Sequence, residues 1–252
     1  MKAFQNAALM QLRQEGKTVL QNVDRIDRIK ITKDDSGKKH NSLVKHIDES
    51  IISRLQELYP EHHILSRQSG MHKSTLPIIE EQYTWVIDPL DGIDNLMAGI
   101  PVCAISIALY HDRECVMGII YEPITDNVYT AMLGQGAFFD GRILRSRPIH
   151  PDNEALIGIY GEIPYSEMAT SLQERSKQPL LCNQIRNIGC LSLSLAYQAS
   201  GSFDYFYGRD LHFCSAAAGI LILNEAKATV KQEKKTDLII AKLSSTNAKN
   251  KR

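Results

Sequence analysis

Between residues 83 and 141 the chain repeats one pattern, a short run of β-branched and aromatic residues followed by a turn signal. The runs are "TWVID", "VCAISIAL", "CVMGIIYEP" and "NVYTAML", with "YHDRE" and "PITD" among the breaks. Runs of this length, closely spaced and bounded by Asp, Pro and Gly, read as antiparallel strands joined by hairpins. A sheet of this kind forces the rest of the chain to cover its faces. "GQGAFFDG" (134–141) continues the series. Its glycines look like a phosphate loop at a glance, but no helix opens after them, so the stretch reads as strand–turn–strand.

The material for covering the sheet lies on both sides of it. Residues 4–23 carry Leu9, Leu12, Val19 and Leu20 at helical spacing. Residues 34–41, "DDSGKKHN", read as a polar turn-forming loop. Residues 42–59 form a second amphipathic pattern, with Ile47, Ile51, Leu55 and Leu58 on one side and Pro60 as its stop. "HHIL" reads as a short strand, and 66–77 as an exposed loop. After residue 147 strands and helices alternate: "ALIGIY", a helix over 166–177, "CLSLSLAYQAS", the strand "SFDYFYG", and "SAAAGILILNEAKA". That alternation is the mark of an α/β half.

The expected organisation is therefore a mixed α+β chain. Residues 1–147 hold the N-terminal helices and the antiparallel sheet, and 148–230 a C-terminal α/β half of the same compact unit. Residues 231–252 form a short basic segment with one strand, "DLIIAKL". Its Lys231, Lys234, Lys235, Lys242, Lys249, Lys251 and Arg252 read either as a solvated tail or as a contact for nucleic acid or another acidic surface. The chain as a whole has 29 basic and 29 acidic residues, so no global charge argues for nucleic acid or an anionic membrane as the main partner. Five scattered cysteines without a CxxC pair disfavour a disulfide framework and a structural zinc site. The N-terminus has no signal-peptide pattern and no segment is apolar enough to span a bilayer. A cytoplasmic protein is expected.

The chemistry concentrates in "WVIDPLDGIDNL" (85–96). A strand delivers Asp88 and Asp91 to a tight Pro- and Gly-containing loop, where two carboxylates can converge on one cation. Asp is also a common turn residue, so the pair reads equally as turn caps.

Taken with its neighbours, this segment resembles the DPxDGTxN signature of the inositol monophosphatase family of magnesium-dependent phosphomonoesterases. The family's order is kept in "YPEHHIL", "WVIDPLDG", "GIIYEPITDNVYTA", "GQGAFFDG", "GCLSLSLAY" and "SAAAGILILNEA", from near residue 1 to about residue 230. The resemblance is strongest to the bacterial branch. It implies an alternating α-β-α-β-α layered sandwich and a homodimer. It also implies a Mg²⁺ site that uses Asp88, the carbonyl of Leu90, and Asp91. Phosphate would meet Gly92, Ile93 and Asp94 on one side and Gly189, Cys190 and Leu191 on the other. Asp48 stands where the family carries the carboxylate that orients the attacking water.

Against that pattern several chemical positions are changed. Aligning "ILSRQSG" with the family's "ILGEESG" places Arg67 at a metal-bridging Glu and Gln68 at the second acid. Ile93 replaces the Thr that activates water with the Asp48 counterpart. "CSAAAG" replaces WDxAAG, so Ser215 stands at a metal-ligating Asp and Cys214 at the Trp. Gly208 stands at a Glu that holds a substrate hydroxyl. "EAKA" (225–228) replaces EAGG, removing two glycines and their turn, and the chain ends about a helix earlier than the family pattern. Exchange of Glu for Arg67 alone changes the site by two charges, each worth on the order of 4 kcal/mol per partner charge at about 4 Å and an effective dielectric near 20.

Three fates are open to Arg67: a solvated loop position, a salt bridge to Asp94, or occupation of the metal position as a metal-free anion site. Asp94 can alternatively replace a lost ligand. The reading that follows is a degenerate family member with Mg²⁺ binding weakened or absent. It would work by binding a protein or RNA-associated partner, since the bacterial branch includes members that act in transcription antitermination, or an anionic, phosphate-bearing small molecule. The alternatives are an active phosphomonoesterase with altered metal use, and a structural dimer partner of an active relative.

Overall fold

The computed structural model describes residues 1–23, 25, 29–33, 39–76, 82–144, 155–163, 184–233 and 238–243. Helix α1 (Lys2–Val23) and helix α2 (Ser42–Leu58) flank a two-stranded ladder of β1 (Ile31–Lys33) and β2 (Lys39–Asn41). Asn41 starts α2 cleanly, its side chain accepting the backbone N–H groups of Leu43 and Val44, a helix-start interaction worth about 1 kcal/mol.

The central sheet has eight strands. They are β3 (His63–Ser66), β4 (Gly70–His72), β5 (Tyr83–Asp91), β6 (Ala104–His111), β7 (Glu114–Glu122), β8 (Asn127–Met132), β9 (Gly136–Phe139) and β10 (Arg142–Ile143). Their order is β10-β9-β8-β7-β6-β5-β3-β4, antiparallel throughout except for the parallel pair β3–β5. The expected hairpin series is therefore present, and "GQGAFFDG" is strand, turn and strand. Alternation decides which side chain goes where. Trp85 and Ile87 pack with α1 and α2 on one face, and Val86 with the helices of the other.

Those other helices are α4 (Leu191–Ser200) and α5 (Phe213–Glu225); the short α3 (Ile93–Met97) follows β5. Helices α4 and α5 are buried nearly all round because each is covered on two sides. Beyond them lies a five-stranded sheet ordered β12-β11-β13-β15-β14. It is built from β11 (Leu156–Tyr160), β12 (Gln184–Asn187), β13 (Tyr205–Gly208), β14 (Ala228–Glu233) and β15 (Leu238–Leu243). Gly219 lets α5 approach α4, since a Cβ there would stand 2.6 Å from Leu195. Helix pair, sheet, helix pair and sheet thus follow in layers; the helix expected over 166–177 lies outside the described residues.

Four expectations need correction. Leu20 and Leu58 sit on exposed flanks, at 47% and 37% exposure, because the buried stripe of each helix is narrower than its apolar pattern. The loop expected over 66–77 contains β4, which pairs back on β3. The loop expected over 34–41 ends in β2. The turn of "EAKA" survives without its glycines, because Lys227 itself takes the left-handed conformation (φ 63°) and donates to the Asn224 carbonyl. No described helix is long and apolar enough to cross a membrane. The described cysteines Cys103, Cys115, Cys190 and Cys214 are free thiols.

Candidate functional site

In a regular strand two residues three apart point to opposite faces. Asp88 and Asp91 escape this because the β5–β6 register breaks between them, at Pro89, which has no N–H to give to a ladder. The bulge turns both carboxylates toward one point. Gly92 then reverses the chain at φ 81°, and a Cβ there would stand 2.6 Å from the Val102 carbonyl oxygen.

The point of convergence is the guanidinium of Arg67. The turn after β3 carries this residue, and its backbone N–H is fixed to the Ile87 carbonyl. Nη1 lies 2.8 Å from Asp88 Oδ2, 3.4 Å from Asp91 Oδ1 and 3.2 Å from Ser215 Oγ. Ser215, in the first turn of α5, accepts from Arg67 and donates to Asp88 Oδ2 at 2.5 Å. Asp91 spends its other oxygen on α4, accepting from the N–H and Oγ of Ser192, both at 2.8 Å, and from the Cys190 thiol at 3.4 Å. An anion at that helix N-terminus is favoured by the helix dipole.

Both carboxylates are buried, and Arg67 is 35% exposed. Burial, reinforced by the Asp91 charge, pushes the Asp88 carboxyl up to about 6 despite the opposing guanidinium. Burial pulls Arg67 down, but the charges of Asp88 and Asp91 outweigh it and hold the guanidinium above its usual value. Tyr160, at the end of β11, is raised first by burial and then by Asp91.

A cavity of about 230 Å³ opens over the cluster, with Arg67, Asp88, Asp91, Gly92, Ile93 and Tyr160 among its lining. Leu90, Asp94, Gly189 and Gln68 also reach it. Asp94 is exposed and the ion pairs of Arg67 run to Asp88 and Asp91, so neither the solvated position nor the Asp94 salt bridge is what Arg67 adopts. Cys190 meets the cluster at Asp91 and at Ser192 Oγ, and Leu191 is wholly buried in the core. Gly208 is buried against Phe206 and Leu211. Cys214 faces the Leu65 carbonyl.

Asp48 lines an adjoining groove of about 570 Å³ that shares Gln68 with this cavity, and it is bonded to Ser66 at 2.5 Å. Ile93, its expected partner position, packs against the core. Among the described residues no three of His, Cys, Asp and Glu come together in a metal-holding arrangement. Sequence reasoning missed Ser66, Ser192, Tyr160 and Asn41. Only Asn41 carried a signal, as a helix-start residue before an amphipathic run.

The comparisons agree with this architecture. The model of the inositol monophosphatase family matches residues 3–251. The chain belongs to the inositol monophosphatase family. It is 30% identical over 239 residues to the Nus factor SuhB of Pseudomonas aeruginosa, covering 91% of this chain and 85% of that one. It is 29% identical over 228 residues to the inositol-1-monophosphatase of Rhizobium meliloti, covering 89% and 83%. Among solved structures, the extragenic suppressor protein suhB of Bartonella henselae superposes with a TM-score of 0.81 at 25% identity, covering 96% of this chain and 94% of that one. This family is generally magnesium-dependent.

Proposed function

We propose that this chain is a family member whose old catalytic pocket has become a structural and binding element, with little or no phosphomonoesterase activity. One observation carries the reading: the Arg67 guanidinium lies between Asp88 and Asp91. A magnesium ion needs oxygen ligands at about 2.0–2.1 Å in near-octahedral geometry. Here one oxygen of each carboxylate faces a fixed cation, and Ser215 offers only a neutral hydroxyl that already donates to Asp88. The residues present therefore do not fit a divalent ion. Ile93 adds to this, because it can neither take nor give a proton where general-base assistance is typically worth about 10²–10⁴-fold.

The work of such a chain is association. The relative from P. aeruginosa bears the name Nus factor, which gives the reading a direction toward transcription machinery. A homodimer, cytoplasmic in location, belongs to the same reading. Phosphate release from inositol 1-phosphate in millimolar Mg²⁺ should stay at background for purified protein, while co-sedimentation with a transcription elongation complex should retain it. Hydrolysis at the rate of an ordinary family member would overturn the proposal in favour of an active enzyme with altered metal use.

A further inference from the structure

The same guanidinium does more than block a cation. It ties together elements distant in the chain. The turn carrying Arg67 is held to β5 by its backbone, to Asp88 and Asp91 by Nη1, and to α5 through Ser215. Asp91 passes the connection to the start of α4. Without Arg67, two buried carboxylates would face each other with no positive charge between them, an arrangement that buried charges do not tolerate.

We infer that Arg67 is a tethered counter-ion that replaces a divalent cation as the organiser of the loop cluster and makes the folded state independent of metal. This deepens the reading above and rests on its placement of Arg67. The guanidinium suits the task because its positive charge persists across the whole accessible pH range and its nitrogen can donate to several acceptors at once. The loop cluster that joins β5, α4 and α5 is then held in one conformation in the presence or absence of Mg²⁺.

The test is thermal unfolding of the full chain in EDTA and in millimolar MgCl₂ or CaCl₂. Wild type should show the same Tm in all three. Arg67→Ala should lose on the order of 10 °C in EDTA, as expected when one partner of a buried ion pair is removed from a chain of this size. Millimolar Mg²⁺, Ca²⁺ or guanidinium should then recover part of that loss by binding only the folded state. If Arg67→Ala does not fold, Arg67→Met combined with Asp88→Asn removes the cation and one buried charge together. That double variant should fold, with no response to metal.

A wild-type Tm that rises by several degrees with Mg²⁺ overturns the inference. An Arg67→Ala protein as stable as wild type, or indifferent to every added cation, does so too. Hydrolysis of inositol 1-phosphate, assayed separately, bears on the non-catalytic reading alone. A wild type that hydrolyses yet shows a metal-independent Tm would sink that reading and leave the counter-ion standing.

Discussion

Ser66 Oγ donates to Asp48 Oδ1 at 2.5 Å between the end of β3 and the middle of α2, and both residues are buried. The same oxygen accepts the backbone N–H groups of Gln68 and Ser69, at 3.0 and 3.4 Å. One hydroxyl thus joins a carboxylate to the turn that aims Arg67. Ser66 stands where the family pattern has Gly, so this donor is one the chain adds of its own.

The first prediction concerns this link. Ser66→Gly should destabilise the chain by about 1–3 kcal/mol, because it strands a buried carboxylate and releases the turn. A urea titration should show a lower midpoint with an unchanged slope. A midpoint equal to wild type would mean that the hydroxyl does not hold the turn.

A second prediction tests whether the altered positions act as a unit. Arg67→Glu alone places a third carboxylate beside Asp88 and Asp91 and removes the cation between them. Arg67→Glu with Ile93→Thr and Ser215→Asp should bind Mg²⁺ in isothermal titration more tightly than any single change, since groups that share one site are strongly non-additive. Equal recovery from one substitution would show that the other two are no part of the defect.

The strands could be read because alternating runs bounded by turn residues leave β5 to β9 little choice. The Asp88–Asp91 pair was legible from its spacing. What the spacing hid was the bulge at Pro89 that lets both carboxylates face Arg67. Strand β4 was hidden because "GMH" is too short to carry a period. Lys227 shows a different limit, since a pattern of lost glycines implied a lost turn that the backbone still makes. The destination of Arg67 was also beyond the sequence. Its contacts reach 21, 24 and 148 residues along the chain, and such closure is decided by packing, not by local preference.

A third prediction separates backbone strain from close approach. Gly70 and Gly92 both have φ 81°, but a Cβ on Gly70 meets nothing within 4 Å, whereas one on Gly92 meets the Val102 oxygen at 2.6 Å. Gly70→Ala should cost only the left-handed penalty of about 1 kcal/mol. Gly92→Ala should cost at least twice that, roughly 2–4 kcal/mol, because backbone must move. Parallel denaturant titrations of the two variants would decide it, and equal losses would show that β5 and the segment before β6 are not held at that distance.

The last prediction uses the chain's single tryptophan. Trp85 Nε1–H donates to His62 Nδ1 at 3.0 Å, which fixes the neutral imidazole with its proton on Nε2, toward Glu61 Oε1 at 3.5 Å. Phe4 from α1, Tyr59 beyond α2 and Tyr83 from β5 surround the ring. Burial lowers the His62 pKa below its ordinary 6.5, with Glu61 pulling weakly the other way. The unfolded chain therefore binds this proton more readily than the folded one. The His62 contribution is fully present above pH about 6.5 and is lost as pH falls through the lower folded value. Asp88 has the opposite sign, because its raised pKa favours the folded state toward acid pH, so total stability alone does not isolate the histidine. His62→Gln does, since the amide oxygen can keep the Trp85 hydrogen bond but never takes a proton. Compared with wild type, this variant should lose the rise of stability with pH that His62 supplies below pH about 6.5, leaving the opposite slope of Asp88, and its Trp85 emission should no longer change across that range. Identical pH slopes in the two proteins, with emission titrating in both, would place the transition on some other group.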